Sequence, residues 1–275
     1  MRDVTLLASP GFEGRLAGRP GGVKARQWLM GRFAEIGLTP LGTNGFQQIF
    51  TFADAGVQYL GGNVVGRIPG TNPRARLIVV TAHYDHLGVR DGRIYRGADD
   101  NASGVAAVLA AARHFRDNPP RHPMVFAALD GEEGGGSREN GAKTLVDTLS
   151  PAAMALNVNL DMVSRSDVNE IYAAGLYHTP SLKPILEDVR ARASVKLLFG
   201  HDRPESPAGG QDDWTLQSDH GEFHKAGVPF VYFGVEDHAD YHKPTDTPDK
   251  IDPRFFGDAV DMILEAILAL DARFD

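Results

Sequence analysis

Three mostly apolar runs of strand length set the tightest limit on how this chain can fold: RLIVVTA (Arg76–Ala82), MVFAAL (Met124–Leu129) and MALNVNL (Met154–Leu160). A strand that shows one face to water alternates apolar and polar residues, whereas a near-continuous apolar run is covered on both faces. The segments around them have helical spacing. Gly21–Ile36 places Ala25, Trp28, Leu29, Phe33 and Ile36 on one face, with Gly37 as its stop. Ser103–Asn118 does the same with Val105, Val108, Leu109, Ala112 and Phe115, and Pro253–Leu270 is amphipathic behind an Asp252 N-cap. A helix at Leu182–Arg192 and strands at Gln47–Phe52, Asn63–Ile68, Val195–Phe199 and Pro229–Phe233 complete the pattern. Strands alternating with helices predict an α/β fold, a mostly parallel or mixed central sheet with helices on both faces. No repeat or linker-like stretch divides the chain, so residues 1–275 read as one domain, with Gly200–Gln217 as a surface loop rich in Gly, Pro and acids.

Charge and composition remove several classes of function. Asp and Glu outnumber Lys and Arg, 36 to 28, and a formal charge of −8 argues against nucleic acid or an anionic membrane as partner. The longest near-apolar stretch in the body, Val105–Ala112, is too short to span a bilayer. The first residues lack the apolar core of a signal peptide. Location therefore turns on whether a leader has been trimmed: exported, to the periplasm or medium, if so, and cytoplasmic otherwise. There is no cysteine, so any metal must be held by His, Asp and Glu.

In a parallel sheet, ligands bind beyond the carboxyl ends of the strands. RLIVVTA is followed by His83-Tyr84-Asp85-His86, MVFAAL by Asp130-Gly131-Glu132-Glu133, and MALNVNL by Asp161, while Gly97-Ala98-Asp99-Asp100-Asn101 leads into the helix at Ser103. Each group alone has a plainer reading: a helix cap for Asp99, Asp100 or Asn101, a solvated pair for Glu132-Glu133, a packed histidine for His83 or His86. Together they deliver acids and imidazoles to one rim, the donor set of a metal site. Zinc accepts both donor types, and a larger set with a central carboxylate suits two ions about 3.5–4 Å apart. Of two adjacent glutamates, one can bind metal while the other acts as a base.

Five segments in order, TAHYDHLG (Thr81–Gly88), GADDNASG (Gly97–Gly104), LDGEEGG (Leu129–Gly135), NLDM (Asn159–Met162) and DYHKPTDT (Asp240–Thr247), together with FEGRLAGRPGG near the N-terminus, resemble the two-zinc aminopeptidases of peptidase family M28, the leucyl-type and bacterial secreted group. The resemblance spans almost the whole chain. It implies a zinc-peptidase fold of the phosphorylase/hydrolase-like type, without an inserted protease-associated or dimerisation domain. It also implies two zinc ions per chain and peptides with a free N-terminus as substrates. Residue by residue, it makes His83 and Asp161 ligands of one zinc, Asp99 the bridging carboxylate with a cis Asp99-Asp100 peptide, and Glu133 and His242 ligands of the other. Glu132 matches the general base, Asp85 the acid behind His83, and Tyr241 a phenol that some relatives aim at the oxyanion. Ser218-Asp219-His220 matches a further motif with a supporting role, and Trp214 is expected either to roof a side-chain pocket or to cover core.

Two neighbouring classes share much of this set. Glutaminyl cyclases keep the ligands with one zinc, but their tryptophan-lined sites contrast with the two tryptophans here, Trp28 and Trp214. Non-catalytic members of the fold lack ligands or the base, all of which this chain has. A carboxypeptidase or deacylase of a related two-metal fold would need a cation to hold a substrate carboxylate, and the rim residues named above include none.

Overall fold

The computed structural model describes residues 1–133, 140–204 and 212–274. Among the described residues, seven α-helices, α1 (Arg2–Leu7), α2 (Pro20–Ile36), α3 (Gly104–Asp117), α4 (Gly141–Leu149), α5 (Leu182–Arg190), α6 (His220–Lys225) and α7 (Pro253–Arg273), surround a mixed sheet. Its strands are β1 (Thr39–Pro40), β2 (Gln47–Asp54), β3 (Val57–Ile68), β4 (Leu77–His83), β7 (Met124–Leu129), β8 (Met154–Leu160), β9 (Glu170–Ala174), β10 (Lys196–Phe199) and β11 (Phe230–Gly234), while β5 (Val89–Arg90) and β6 (Arg93–Ile94) form a separate hairpin. The order across the sheet is β1-β3-β7-β4-β8-β11-β9-β10, with β2 paired to the outer half of β3. The central four, β7, β4, β8 and β11, run parallel.

The apolar runs are covered on both faces, as their composition requires. Met124, Phe126 and Ala128 of β7 pack with α1, α2, α3, α5 and α7 on one side, while Val125, Ala127 and Leu129 meet α4 and α6 on the other. The alternation is the period-two geometry of a strand. On the second side β8 turns Asn157 and Asn159 inward, where Thr81 Oγ1 donates to Asn159 Oδ1 at 2.7 Å and Asn157 Nδ2 donates to Val79 O at 3.1 Å.

Several elements differ from the sequence expectation, among them the short α1, β1, β5 and β6, which it did not include. The strand expected at Asn63–Ile68 begins at Val57, because residues 57–60 form a ribbon with β2 that leaves Val57 and Leu60 exposed and so carries no burial pattern. The short elements α4 and β9 were not foreseen; β9 lies antiparallel to β11. Of the expected Gly200–Gln217 loop, residues 205–211 lie outside the described residues, as do Gly134 and Gly135 of the LDGEEGG segment. No helix among the described residues is long and apolar enough to cross a membrane.

Candidate metal centre

The carboxyl ends of the parallel strands converge on one cleft. His83 closes β4, Glu132 and Glu133 follow β7, Asp161 follows β8, and the chain after β11 brings in Tyr241 and His242. The cleft has a volume of about 400 Å³. At its floor His83 Nε2 lies 3.1 Å from Asp161 Oδ1 and 3.4 Å from Asp100 Oδ1, while His242 Nε2 lies 3.1 Å from Asp100 Oδ2 and 3.3 Å from Glu133 Oε2. The two groupings meet at one carboxylate, that of Asp100.

The central acid is therefore one residue later than expected. Asp99 is fully buried but turned away: its Oδ1 accepts from the backbone N–H and hydroxyl of Ser164 at 2.8 and 2.6 Å, and His238 Nε2 stands 3.2 Å from its Oδ2. The cis peptide is correspondingly Asp100–Asn101 and not Asp99–Asp100. Successive side chains in this tight segment point to opposite sides, so a shift of one residue exchanges the cleft for the core.

The remaining expected residues are brought together, each with a traceable support. Asp85 stands behind His83, although Nδ1 is nearer the Asp85 carbonyl (3.3 Å) than its carboxylate (3.7 Å). That carboxylate instead accepts from the backbone N–H groups of Glu132 and Glu133, at 3.2 and 3.1 Å, and so ties the two strand-end loops together. Tyr241 lines the cleft with its ring stacked on His242, centroids 3.9 Å apart. His86, expected to pack or hydrogen-bond near the site, places Nδ1 2.8 Å from Glu133 Oε1. Ser218 donates to Asp161 Oδ2 at 2.7 Å, and Trp214 covers core, stacked on His201 with centroids 3.5 Å apart.

Sequence reasoning assigned nothing to three residues that build this centre. Arg15, wholly buried in the FEGRLAGRPGG segment, donates to the carbonyls of Leu7, Tyr84, Arg96 and Gly97 at 2.7–2.8 Å, binding together the segments that carry His86 and Asp100. Burial lowers its pKa to about 10 against the pull of Asp100, Asp246, Asp85 and Glu133. Asp246 accepts from the backbone N–H groups of Asp99 and Asp100, each at 3.1 Å. Gly97, at φ 54°, leaves no room for a Cβ, which would stand 2.0 Å from Asp100 O. Arg90 lines the cleft as well, which corrects the expectation that the rim holds no cation.

Electrostatics divide the acids. Burial, reinforced by Asp161, Asp219 and Glu133 and opposed by His83, holds the Glu132 carboxyl well above its ordinary range. Burial would raise Glu133 too, but hydrogen bonding with His242 and His86 holds it well below. Asp100 is raised to about 6 by burial and Glu133, against His86, His242 and His83. Burial lowers the histidines, yet Asp161 and Glu132 carry His83 well above its ordinary value, and hydrogen bonds with Asp100 and Glu133 carry His242 to about 10. Acids that share buried space and attract protons onto neighbouring imidazoles form a site built for added positive charge.

The sequence profile of peptidase family M28 matches residues 63–267, which contain all of these cleft residues except Arg15. The chain belongs to peptidase family M28. It is 29% identical over 217 residues to aminopeptidase YwaD of Bacillus subtilis, covering 74% of this chain and 44% of that one. It is 28% identical over 202 residues to the alkaline phosphatase isozyme conversion protein of Escherichia coli, covering 67% and 56%. The M28 chain thus spans about half the length of these relatives. Its fold is shared with the LapA aminopeptidase of Legionella pneumophila (TM-score 0.76, 19% identity, 100% of this chain and 71% of that one) and a zinc aminopeptidase of Bacillus subtilis (0.73, 16%, 97% and 93%). It is shared equally with a glutaminyl cyclase of Fimbriiglobus ruber (0.74, 21%, 98% and 93%), so the M28 fold by itself does not choose between hydrolysis and cyclisation.

Proposed function

We propose that this chain is a two-zinc aminopeptidase, removing the N-terminal residue of peptides by hydrolysis. The observation that carries the reading is the two-sided carboxylate of Asp100, with Oδ1 toward His83 and Oδ2 toward His242. Two ligands about 2.0–2.1 Å from a tetrahedral zinc stand about 3.3 Å apart. The donor separations around Asp100, 3.1–3.4 Å, match that edge on both sides. Donors of imidazole and carboxylate without thiolate also suit zinc. His83, Asp161 and Asp100 would hold one ion, and Asp100, Glu133 and His242 the other. His86, at hydrogen-bond distance from the outer oxygen of Glu133, would orient that ligand.

When bound, the ions would supply Lewis acidity, making water nucleophilic at neutral pH and polarising the scissile carbonyl. Glu132 is the proton carrier. Its carboxyl is free of the ligand pairs, and nearby divalent charge would bring its raised pKa back toward neutrality, where a base is most effective. It takes a proton from the attacking water and returns it to the leaving amine. Tyr241, whose pKa is raised by burial and by Asp100, keeps its phenolic proton and can donate to the developing oxyanion. The carboxylates at the floor attract the substrate's α-ammonium.

The test is hydrolysis of leucine p-nitroanilide by the zinc-loaded protein, against the same substrate with its amine acetylated. The free amine should be cleaved and the acetylated form left intact, with two ions per chain by metal analysis. Equal cleavage of both would point to a deacylase. Cyclisation of an N-terminal glutamine at one ion per chain would point to the cyclase reading.

A further inference from the structure

The cleft that carries four carboxylates at its floor, Asp100, Glu132, Glu133 and Asp161, has one Arg or Lys among its described lining residues, Arg90. Arg90 is exposed, at the rim, on the β5–β6 hairpin. The hairpin turns through Asp91-Gly92, both at positive φ (50° and 71°), the tight two-residue turn that fits strand twist. It is fastened at its base by Gly88 N–H to Gly14 O at 3.0 Å and Tyr95 N–H to Gly88 O at 2.9 Å. The Arg90 stem is oriented as well, with Nε donating to Leu87 O at 3.3 Å and Cζ 5.6 Å from the Tyr95 ring centroid. Its terminal nitrogens have no hydrogen bond and no ion pair among the described residues. A guanidinium oriented at its stem with its terminal donors open is suited to a carboxylate, which it grips by two parallel bonds.

We propose that Arg90 binds the C-terminal carboxylate of short peptides, making di- and tripeptides with a free C-terminus the preferred substrate class. The inference rests on the aminopeptidase reading and deepens it. The substrate's ammonium belongs with the floor carboxylates, and its first carbonyl beside His83 and His242. The leaving portion therefore runs outward to the rim, where Arg90 stands. At about 400 Å³ the cleft is near the small end of ligand sites, which run from about 300 to 1,000 Å³, so a short peptide fills it. A zwitterionic short peptide then meets acids at its amine end and a cation at its acid end, matching the cleft in charge along its length.

The experiment compares wild type, Arg90→Gln and Arg90→Lys on Leu-Gly, on Leu-Gly-amide and on leucine p-nitroanilide, all zinc-loaded. Wild type should favour Leu-Gly over its amide by about tenfold in kcat/KM, as charge-assisted hydrogen bonds warrant. Arg90→Gln should erase that preference by raising KM for Leu-Gly, with kcat and both carboxylate-free substrates unchanged; Arg90→Lys should recover part of it. The proposal is overturned if wild type shows no preference, or if the variant falls equally on all three substrates. It is also overturned if, in a parallel assay, the variant loses only glutamyl p-nitroanilide, which would put Arg90 at the N-terminal side chain instead. Absence of turnover on every substrate, p-nitroanilide included, overturns the aminopeptidase reading itself and this inference with it.

Discussion

Ser218 donates its hydroxyl to Asp161 Oδ2 at 2.7 Å, which leaves Asp161 Oδ1 to face His83 Nε2 at 3.1 Å. The carboxylate is thus aimed by a residue 57 positions away, held in turn by Asn159 Nδ2 at 3.0 Å. Partners that orient a ligand typically control metal affinity by about 10–100-fold. Ser218→Ala should weaken zinc binding at the Asp161 side by about tenfold, read by competition with a chromogenic chelator. The second ion should bind as in wild type.

Glu132 and Glu133 are adjacent, yet their surroundings drive them apart. The carboxyl of Glu132 is pushed well up by burial, and that of Glu133 is pulled well down by hydrogen bonding with His242 and His86 despite its own burial. Divergent pairs of this kind mark separate proton-transfer and charge-holding roles. Glu132→Gln should lower kcat by at least about a hundredfold, within the usual range for a lost general base, and keep two zinc ions per chain. Glu133→Gln should lose an ion as well as activity. Metal analysis beside kinetics separates the two, and a fully active Glu132→Gln would remove Glu132 from the proton path.

Asp99 and Asp100 invite the same comparison for binding. Asp100→Asn should abolish stoichiometric binding of both ions, because its two oxygens serve both groupings. Asp99→Asn keeps an acceptor for the Ser164 bonds and leaves the cleft untouched. It should retain two ions per chain at a stability cost of about 1–2 kcal/mol, on the scale of a weakened buried hydrogen bond. If zinc were lost from the Asp99 variant and kept by the Asp100 variant, the bridging role would return to Asp99.

These pairs also show what could be read from the residues alone. The apolar runs of β7 and β8 end where expected because burial on both faces is written in composition, and the placing of His83, Glu132, Glu133 and Asp161 follows from strand ends. The choice between Asp99 and Asp100 was not legible in the same way. It depends on which of two consecutive side chains turns inward, and Ser164, His238 and Asp246, all remote in sequence, decide that. Arg15 and Arg90 were hidden for a related reason. Their roles lie in backbone carbonyls and in a hairpin's position at the cleft, and neither leaves a spacing pattern. β9 was missed because five residues at the flank of the sheet are too few to show a period.

Acid stability offers a test outside the metal groups. His220 is fully buried, and its Nε2 donates to Trp214 O at 2.8 Å. Burial lowers its pKa to about 4 from 6.5, outweighing the opposing effects of the Trp214 carbonyl and Asp161. The folded chain thus holds this imidazole neutral while the unfolded chain binds a proton below pH 6.5. Stability from the neutral ring is complete above about pH 6.5 and is lost progressively as pH falls toward 4, by at most about 3 kcal/mol. Exchanging His220 for Gln, which can still donate to the carbonyl but does not titrate, should flatten this part of the profile. Urea unfolding of the metal-free protein at pH 7.5 and pH 5 should therefore show a smaller loss of stability in His220→Gln than in wild type. Identical losses in the two proteins would mean that His220 takes up its proton without unfolding the core around Trp214 and Phe230.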